Sequence, residues 1–137
     1  GFSAPSARNA RPWEFIVVRD RGRLAELSTV RQYWGMLKNA ALSIVVCANL
    51  RDYPGTHKDF FIQDCAAATQ NILVAAEGIG LGAVWLHPTE EGPAGVRRIL
   101  GVPEDIIPFS VISIGHPAEH AKPHPEIAVD RVHHEQY

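Results

Sequence analysis

Short continuous apolar runs alternate along the chain with stretches whose apolar residues recur at helical spacing. Glu14 to Arg19 (EFIVVR) is β-branched and aromatic, the pattern of a strand. Asp20 stands where a cap belongs, ahead of a helix from Arg21 to Thr29 whose Leu24 and Leu27 share one face. Gln32 to Asn39 reads as a second short helical piece. Leu42 to Ala48 (LSIVVCA) is apolar on both faces and predicts a strand buried on both sides. Asp52 to Thr56 (DYPGT) is turn chemistry. The longest element runs from Asp59 to Glu77, with Gly78 expected as its left-handed cap. Its apolar residues, among them Phe60, Phe61, Ile62, Cys65, Ala68, Ile72, Leu73 and Ala76, lie nearly all the way round, so the spacing predicts a buried central helix. Leu81 to Leu86 predicts a strand, and Thr89 to Leu100 a helix with Glu90 and Glu91 in its first turn and Arg97 and Arg98 in its last. Phe109 to Ile114 is a fourth strand, and Ile127 to Val132 a candidate fifth. By periodicity alone, strands alternating with helices predict a parallel α/β sheet.

Composition narrows this pattern to one domain. The chain has 137 residues, 46% hydrophobic and 20% charged, ordinary for a globular domain with a single core. A net charge of -2 and a pI near 6.4 argue against a nucleic-acid binder, which needs a basic face. Cys47 and Cys65 both sit in apolar stretches and are expected as buried thiols in a reducing cytoplasm, not as a disulfide framework. The region from Phe60 to Leu86 is interrupted by Gln63, Asp64, Gln70, Asn71 and Glu77, so no membrane span is expected. The sequence opens at Gly1 and Met36 is its one methionine, so the expectation is either a segment processed away or a fragment of a longer chain.

Several motifs invite chemistry and most decline it. Gly78, Gly80 and Gly82 (GIGLG) follow a helix and open a strand, the reverse of a dinucleotide loop, which needs a helix N-terminus at the phosphates. His116, His120, His124, His133 and His134 suggest a metal, but Pro117 and Pro123 break the helical spacings that would bring ligands together, so no metal is expected. Ser6 and Ser43 are not in a nucleophile elbow, and Cys65 lies mid-helix. The segment "APSARNARPW" differs. Ser6 and Asn9 offer hydroxyl and amide groups, Arg8 and Arg11 offer cationic donors, and turn-rich backbone ahead of a strand is expected to leave N–H groups free. Such a loop suits a polar, phosphorylated ligand; the bland alternative is a surface loop that only packs on the sheet.

Three blocks, "APSARNARPWEFIVV", "FIQDCAAATQNILVAAEGIGLGAVWL" and "LGVPEDIIPFSVISIGHPAEHAKP", together resemble the FMN-dependent nitroreductase family in order and spacing, over nearly the whole chain from Ala4 to His134. The resemblance implies an α+β fold: a mainly antiparallel sheet sandwiched by helices, in an intertwined homodimer, within a single domain over residues 1–137. It also implies FMN at the dimer interface and electron transfer from NAD(P)H to nitroaromatics, quinones or similar small acceptors. Residue by residue, it assigns Pro5, Ser6, Ala7 and Asn9 to the loop that contacts the flavin, with Arg11 beside them where glutamine is usual. Trp85, Leu86 and His87 fall at the strand end whose backbone lies against the reactive ring face, His87 standing where glycine is common. No side-chain acid or base is required, and none is nominated; Asp64 on the long helix is expected as a structural partner. A basic residue is usual near Glu126, and the family's arginine- and serine-rich opening segment is absent ahead of Gly1. Those departures motivate the alternative of a relative that has lost catalysis and serves as a flavin-binding or dimeric interaction module.

Overall fold

The computed structural model describes residues 1–51, 53, 59–88, 92–119 and 128–137. Four strands form one sheet in the order β1-β2-β4-β3: β1 (Trp13–Val18), β2 (Leu42–Asn49), β3 (Gly82–Leu86) and β4 (Ile106–Gly115). Every neighbouring pair is antiparallel, with Trp13 opposite Ala48, Val46 opposite Ser110 and Leu86 opposite Val111. This matches the fold that the family resemblance implies and overturns the parallel sheet predicted from alternation alone. A buried apolar run records that a strand is covered on both faces, not the direction in which it runs.

Pro108 lies inside β4, an interior strand, where a residue without an N–H breaks the ladder. The register slips at that point, from Val46 opposite Ser110 to Cys47 opposite Pro108, so β4 carries an extra residue. A bulge is the setting in which a strand tolerates proline.

Alternate residues of β2 feed two separate cores. Val45 and Cys47 join Leu24, Leu27, Trp34, Leu37, Val96 and Val111 on one face. That face is covered by α1 (Arg21–Leu27), a 3₁₀ segment (Gln32–Lys38) and α3 (Gly92–Leu100). Val46 and Ala48 join Trp13, Cys65, Ala68, Phe109 and Ile112 on the other, beneath α2, the 19-residue helix Phe60–Gly78. Asp20 caps α1 as expected, its Oδ1 accepting the Arg23 N–H at 2.8 Å.

Three expectations need correction. The long helix is buried on one side only: Asp64, Cys65, Ala68, Thr69 and Ala76 are buried, whereas Phe60, Ile62 and Val74 remain 44%, 49% and 61% exposed. The sheet covers one face of a helix, and periodicity does not say where a second cover comes from. Gly78 is the helix's last residue and Ile79 its cap; the left-handed residue is Gly80, at φ +76°. The tail forms a 3₁₀ turn at Val129–Arg131, not a strand, with Val129 and Val132 exposed to solvent. Asp52 and residues 54–56 of the predicted turn, Thr89, Glu90, Glu91, Glu126 and Ile127 lie outside the described residues.

Candidate functional site

The loop ahead of β1 folds back on itself. Ala7–Asn9 makes one 3₁₀ turn, and Arg8, Asn9 and Arg11 hold φ of 52°, 57° and 48°. Left-handed backbone suits asparagine and disfavours arginine, at a cost of about 1–2 kcal/mol per residue. The turn is held by Asn9 N–H donating to Ser6 O at 3.0 Å, Ala10 N–H to Ala7 O at 3.0 Å and Arg11 N–H to Ser6 Oγ at 3.0 Å. Arg11 Nε also donates to Asn9 Oδ1 at 2.9 Å. The sequence suggested free N–H groups here; those of Ala7, Asn9, Ala10 and Arg11 are all engaged, because the tight turn satisfies them internally or on Asp64. What the loop offers outward is side chains: the Arg8 guanidinium, the Asn9 amide nitrogen and the terminal nitrogens of Arg11, all three residues being exposed.

Asp64 ties this loop to α2. It is 4% exposed, its Oδ1 accepts the Ala7 N–H at 2.8 Å and its Oδ2 accepts the Tyr53 O–H at 2.7 Å. Burial, followed by the bond to this carboxylate, pushes the Tyr53 hydroxyl well above the ordinary tyrosine range, so the phenol stays a donor. Sequence reasoning identified Asp64 as a structural partner and missed Tyr53. The one local signal for the pair is a carboxylate next to Cys65 on the helix face that also carries Ala68.

Two openings meet at this junction. A groove of about 480 Å³ is walled by Pro5, Ser6, Ala7, Phe60, Gln63, Asp64 and Ala67. A smaller cleft of about 170 Å³ takes in Ala10, Arg11, Trp13, Asn49 and Tyr53. The loop residues singled out from the sequence therefore divide, with Pro5, Ser6 and Ala7 on the groove and Arg11 on the cleft.

Trp85, Leu86 and His87 form a second group at the end of β3. Trp85 and His87 both lie against Phe109, each ring centroid 5.9 Å away. Leu86 points through the sheet into the opposite core, as strand alternation requires, so only its backbone is available on the Trp85 side. The indole Nε1 of Trp85 is buried and finds no acceptor among the described residues. This group does not wall the groove beneath the loop. Strand order separates them: β1, which follows the loop, and β3 are the two opposite edges of the sheet.

Neither cysteine behaves as a reactive thiol. Cys47 and Cys65 are free and buried, and burial pushes each up to about 12, with the charges of Glu14 and Asp64 adding to it respectively. Among the described residues no group of histidine, cysteine or carboxylate side chains is placed to hold a metal, and no helix is long and apolar enough to cross a membrane. His120 and His124 lie outside the described residues.

The nitroreductase family model matches residues 24–116. A protein of Methanothermobacter thermautotrophicus, provisionally named NADH dehydrogenase/NAD(P)H nitroreductase, is 45% identical over 97% of this chain and 70% of its own length. Among solved structures, a protein from Clostridium acetobutylicum provisionally named NADH oxidase superposes with a TM-score of 0.90 at 39% identity, covering 99% of this chain and 82% of that one. An FMN-dependent nitroreductase from Clostridium difficile superposes with a TM-score of 0.87 at 32% identity, covering 98% and 82%.

Proposed function

The chain belongs to the nitroreductase family, and from that premise we propose that it is an FMN-dependent oxidoreductase that passes electrons from NAD(P)H to nitroaromatic, quinone or similar small acceptors. The observation that carries this reading is the junction at the Pro5–Arg11 loop, where an apolar-walled groove lies beside two exposed guanidinium groups.

The residues present fit a flavin. Arg8 and Arg11 provide charge-assisted donors suited to a phosphate, and the Asn9 amide nitrogen adds a neutral one. Pro5, Ala7, Phe60 and Ala67 give the flat apolar wall that a fused ring prefers. Trp85 Nε1, a buried donor without an acceptor, belongs to the strand end that the family resemblance assigns to the ring. When bound, FMN supplies the two-electron redox chemistry, and the protein supplies orientation and electrostatics.

The chain's own part is to hold and exclude. The pinned loop fixes one boundary of the site, so binding costs little further ordering. The Leu86 backbone and the rings of Trp85 and His87 form the other boundary. No side chain here is assigned a proton-transfer role. Because the loop and the strand end sit at opposite edges of one sheet, we propose that a second copy of the chain completes the site, packing on the apolar residues that α2 leaves exposed. Two buried, free thiols suit a reducing cytoplasm.

The alternative of a non-catalytic relative draws on the amides of Ala7, Asn9, Ala10 and Arg11, which are already engaged and add nothing to a phosphate grip. The visible spectrum of the purified chain, before and after loading with excess FMN and desalting, tests the flavin reading. Retained flavin that bleaches with NADH or NADPH supports an oxidoreductase. Retained flavin without bleaching supports the non-catalytic relative as a flavin-binding module, and a colourless protein rejects the oxidoreductase and leaves the dimeric interaction module.

A further inference from the structure

We infer that Asp64 is a positioning residue: from its buried place between the Pro5–Arg11 loop, Tyr53 and α2, it holds that loop in the shape that retains the flavin. The inference rests on the flavin reading proposed above and deepens it by naming the group that sets the loop.

The chemistry of the junction requires a carboxylate. Asp64 faces two neutral donors, the Ala7 N–H at 2.8 Å and the Tyr53 O–H at 2.7 Å, and no ion pair to it occurs among the described residues. Burying a charge without a cation is expensive. Only an ionised carboxylate presents two acceptor oxygens and no donor of its own. An amide of the same shape would turn an N–H toward one of the two donors.

The loop also needs an outside anchor. Its left-handed residues persist only where their surroundings over-determine them. The bonds through Ser6 and Asn9 lie within the loop, so they move with it. Among the described residues, the Ala7–Asp64 bond is the one hydrogen bond that ties residues 5–11 to the long helix. Asp64 walls the groove on one side, and its partner Tyr53 walls the cleft that holds Arg11. Releasing the carboxylate therefore loosens both openings together.

Four variants of the full chain test this: Asp64→Asn, Asp64→Ala, Tyr53→Phe and, as a packing control on the same helix, Cys65→Ala. Two quantities are measured on each, amide exchange of residues 5–11 without flavin and the FMN dissociation constant by flavin fluorescence, with Tm recorded alongside. Asp64→Asn and Asp64→Ala should speed exchange in the loop about tenfold or more and weaken FMN about 10- to 100-fold. Tyr53→Phe, which spares the Ala7 bond, should fall between these and the unaltered chain. Cys65→Ala should lower Tm while leaving loop exchange and FMN affinity near their original values. If Asp64→Asn leaves both unchanged, or if Cys65→Ala weakens FMN as much as Asp64→Asn does, the positioning role is overturned. An unaltered chain that binds no FMN rejects the flavin reading and the retention role with it, and the exchange data then decide separately whether Asp64 pins the loop.

Discussion

Thr69 Oγ1 and Ser110 Oγ lie 2.9 Å apart, both in fully buried side chains, and join α2 to the interior strand β4. The direction of this bond follows from proton counting. Thr69 donates its hydroxyl proton to the Cys65 carbonyl at 2.8 Å, so its oxygen accepts from Ser110. Thr69→Val then strands a buried donor on Ser110 and should cost about 2 kcal/mol, whereas Ser110→Ala removes that donor and should cost about 1 kcal/mol or less. Equilibrium unfolding of the two variants checks the order; equal costs, or the reverse order, would mean the proton points the other way.

The two glycines at the end of α2 should respond in opposite senses to alanine. Gly78 is helical, and an added Cβ meets nothing within 4 Å, so Gly78→Ala should stabilise by about 0.5–1 kcal/mol. Gly80 has equally open surroundings but sits at φ +76°, so Gly80→Ala should cost about 1–2 kcal/mol. Thermal unfolding reads both. A loss of stability at Gly78 would return the left-handed cap to that residue.

That contrast marks the limit of what the sequence discloses. The Leu42–Ala48 run, the Asp20 cap and the Leu24/Leu27 face were legible because each is a local pattern with a local cause. The left-handed position was misjudged by two residues, because GIGLG offers several glycines and local chemistry does not rank them. Sheet direction was invisible to periodicity and came only from the family resemblance. The bond from Ala7 to Asp64 spans 57 positions, and no local spacing announces it. Likewise, nothing in the chain order indicates that Trp85 would lie on the far edge of the sheet from the loop.

Alkaline conditions should erode stability through the thiols. Burial raises Cys47 and Cys65 from 9.0 to about 12, so both are neutral in the folded and unfolded chain below pH 9 and their contribution is fully present there. As pH climbs from about 9 toward 12, the unfolded chain ionises first and stability falls, by about 1 kcal/mol per thiol at pH 10. Urea unfolding at pH 8 and pH 10 measures the drop. The doubly substituted Cys47→Ala, Cys65→Ala chain should lose less between the two pH values, whatever its stability at pH 8. An unchanged loss would assign the alkaline sensitivity to other groups.

The outer side of α2 supplies the test of the two-copy site. Phe60, Ala67 and Val74 recur every seventh residue, so they form one stripe along the helix. Val74 is 61% exposed. Water contact at such positions is unfavourable by roughly 25 cal/mol per Å² of apolar surface, and burial against a second copy recovers it. Charge placed there opposes that burial and leaves the sheet-facing side, with Cys65, Ala68 and Thr69, untouched. Val74→Glu should therefore preserve the far-ultraviolet spectrum yet convert a dimer to a 15.1 kDa monomer in light scattering. Flavin retention should fall in parallel, because the loop and the Trp85 strand end would no longer be supplied by facing copies. A monomeric unaltered chain that still retains FMN would place the whole site within one copy, and the exposed face of α2 would then have no part in holding the flavin.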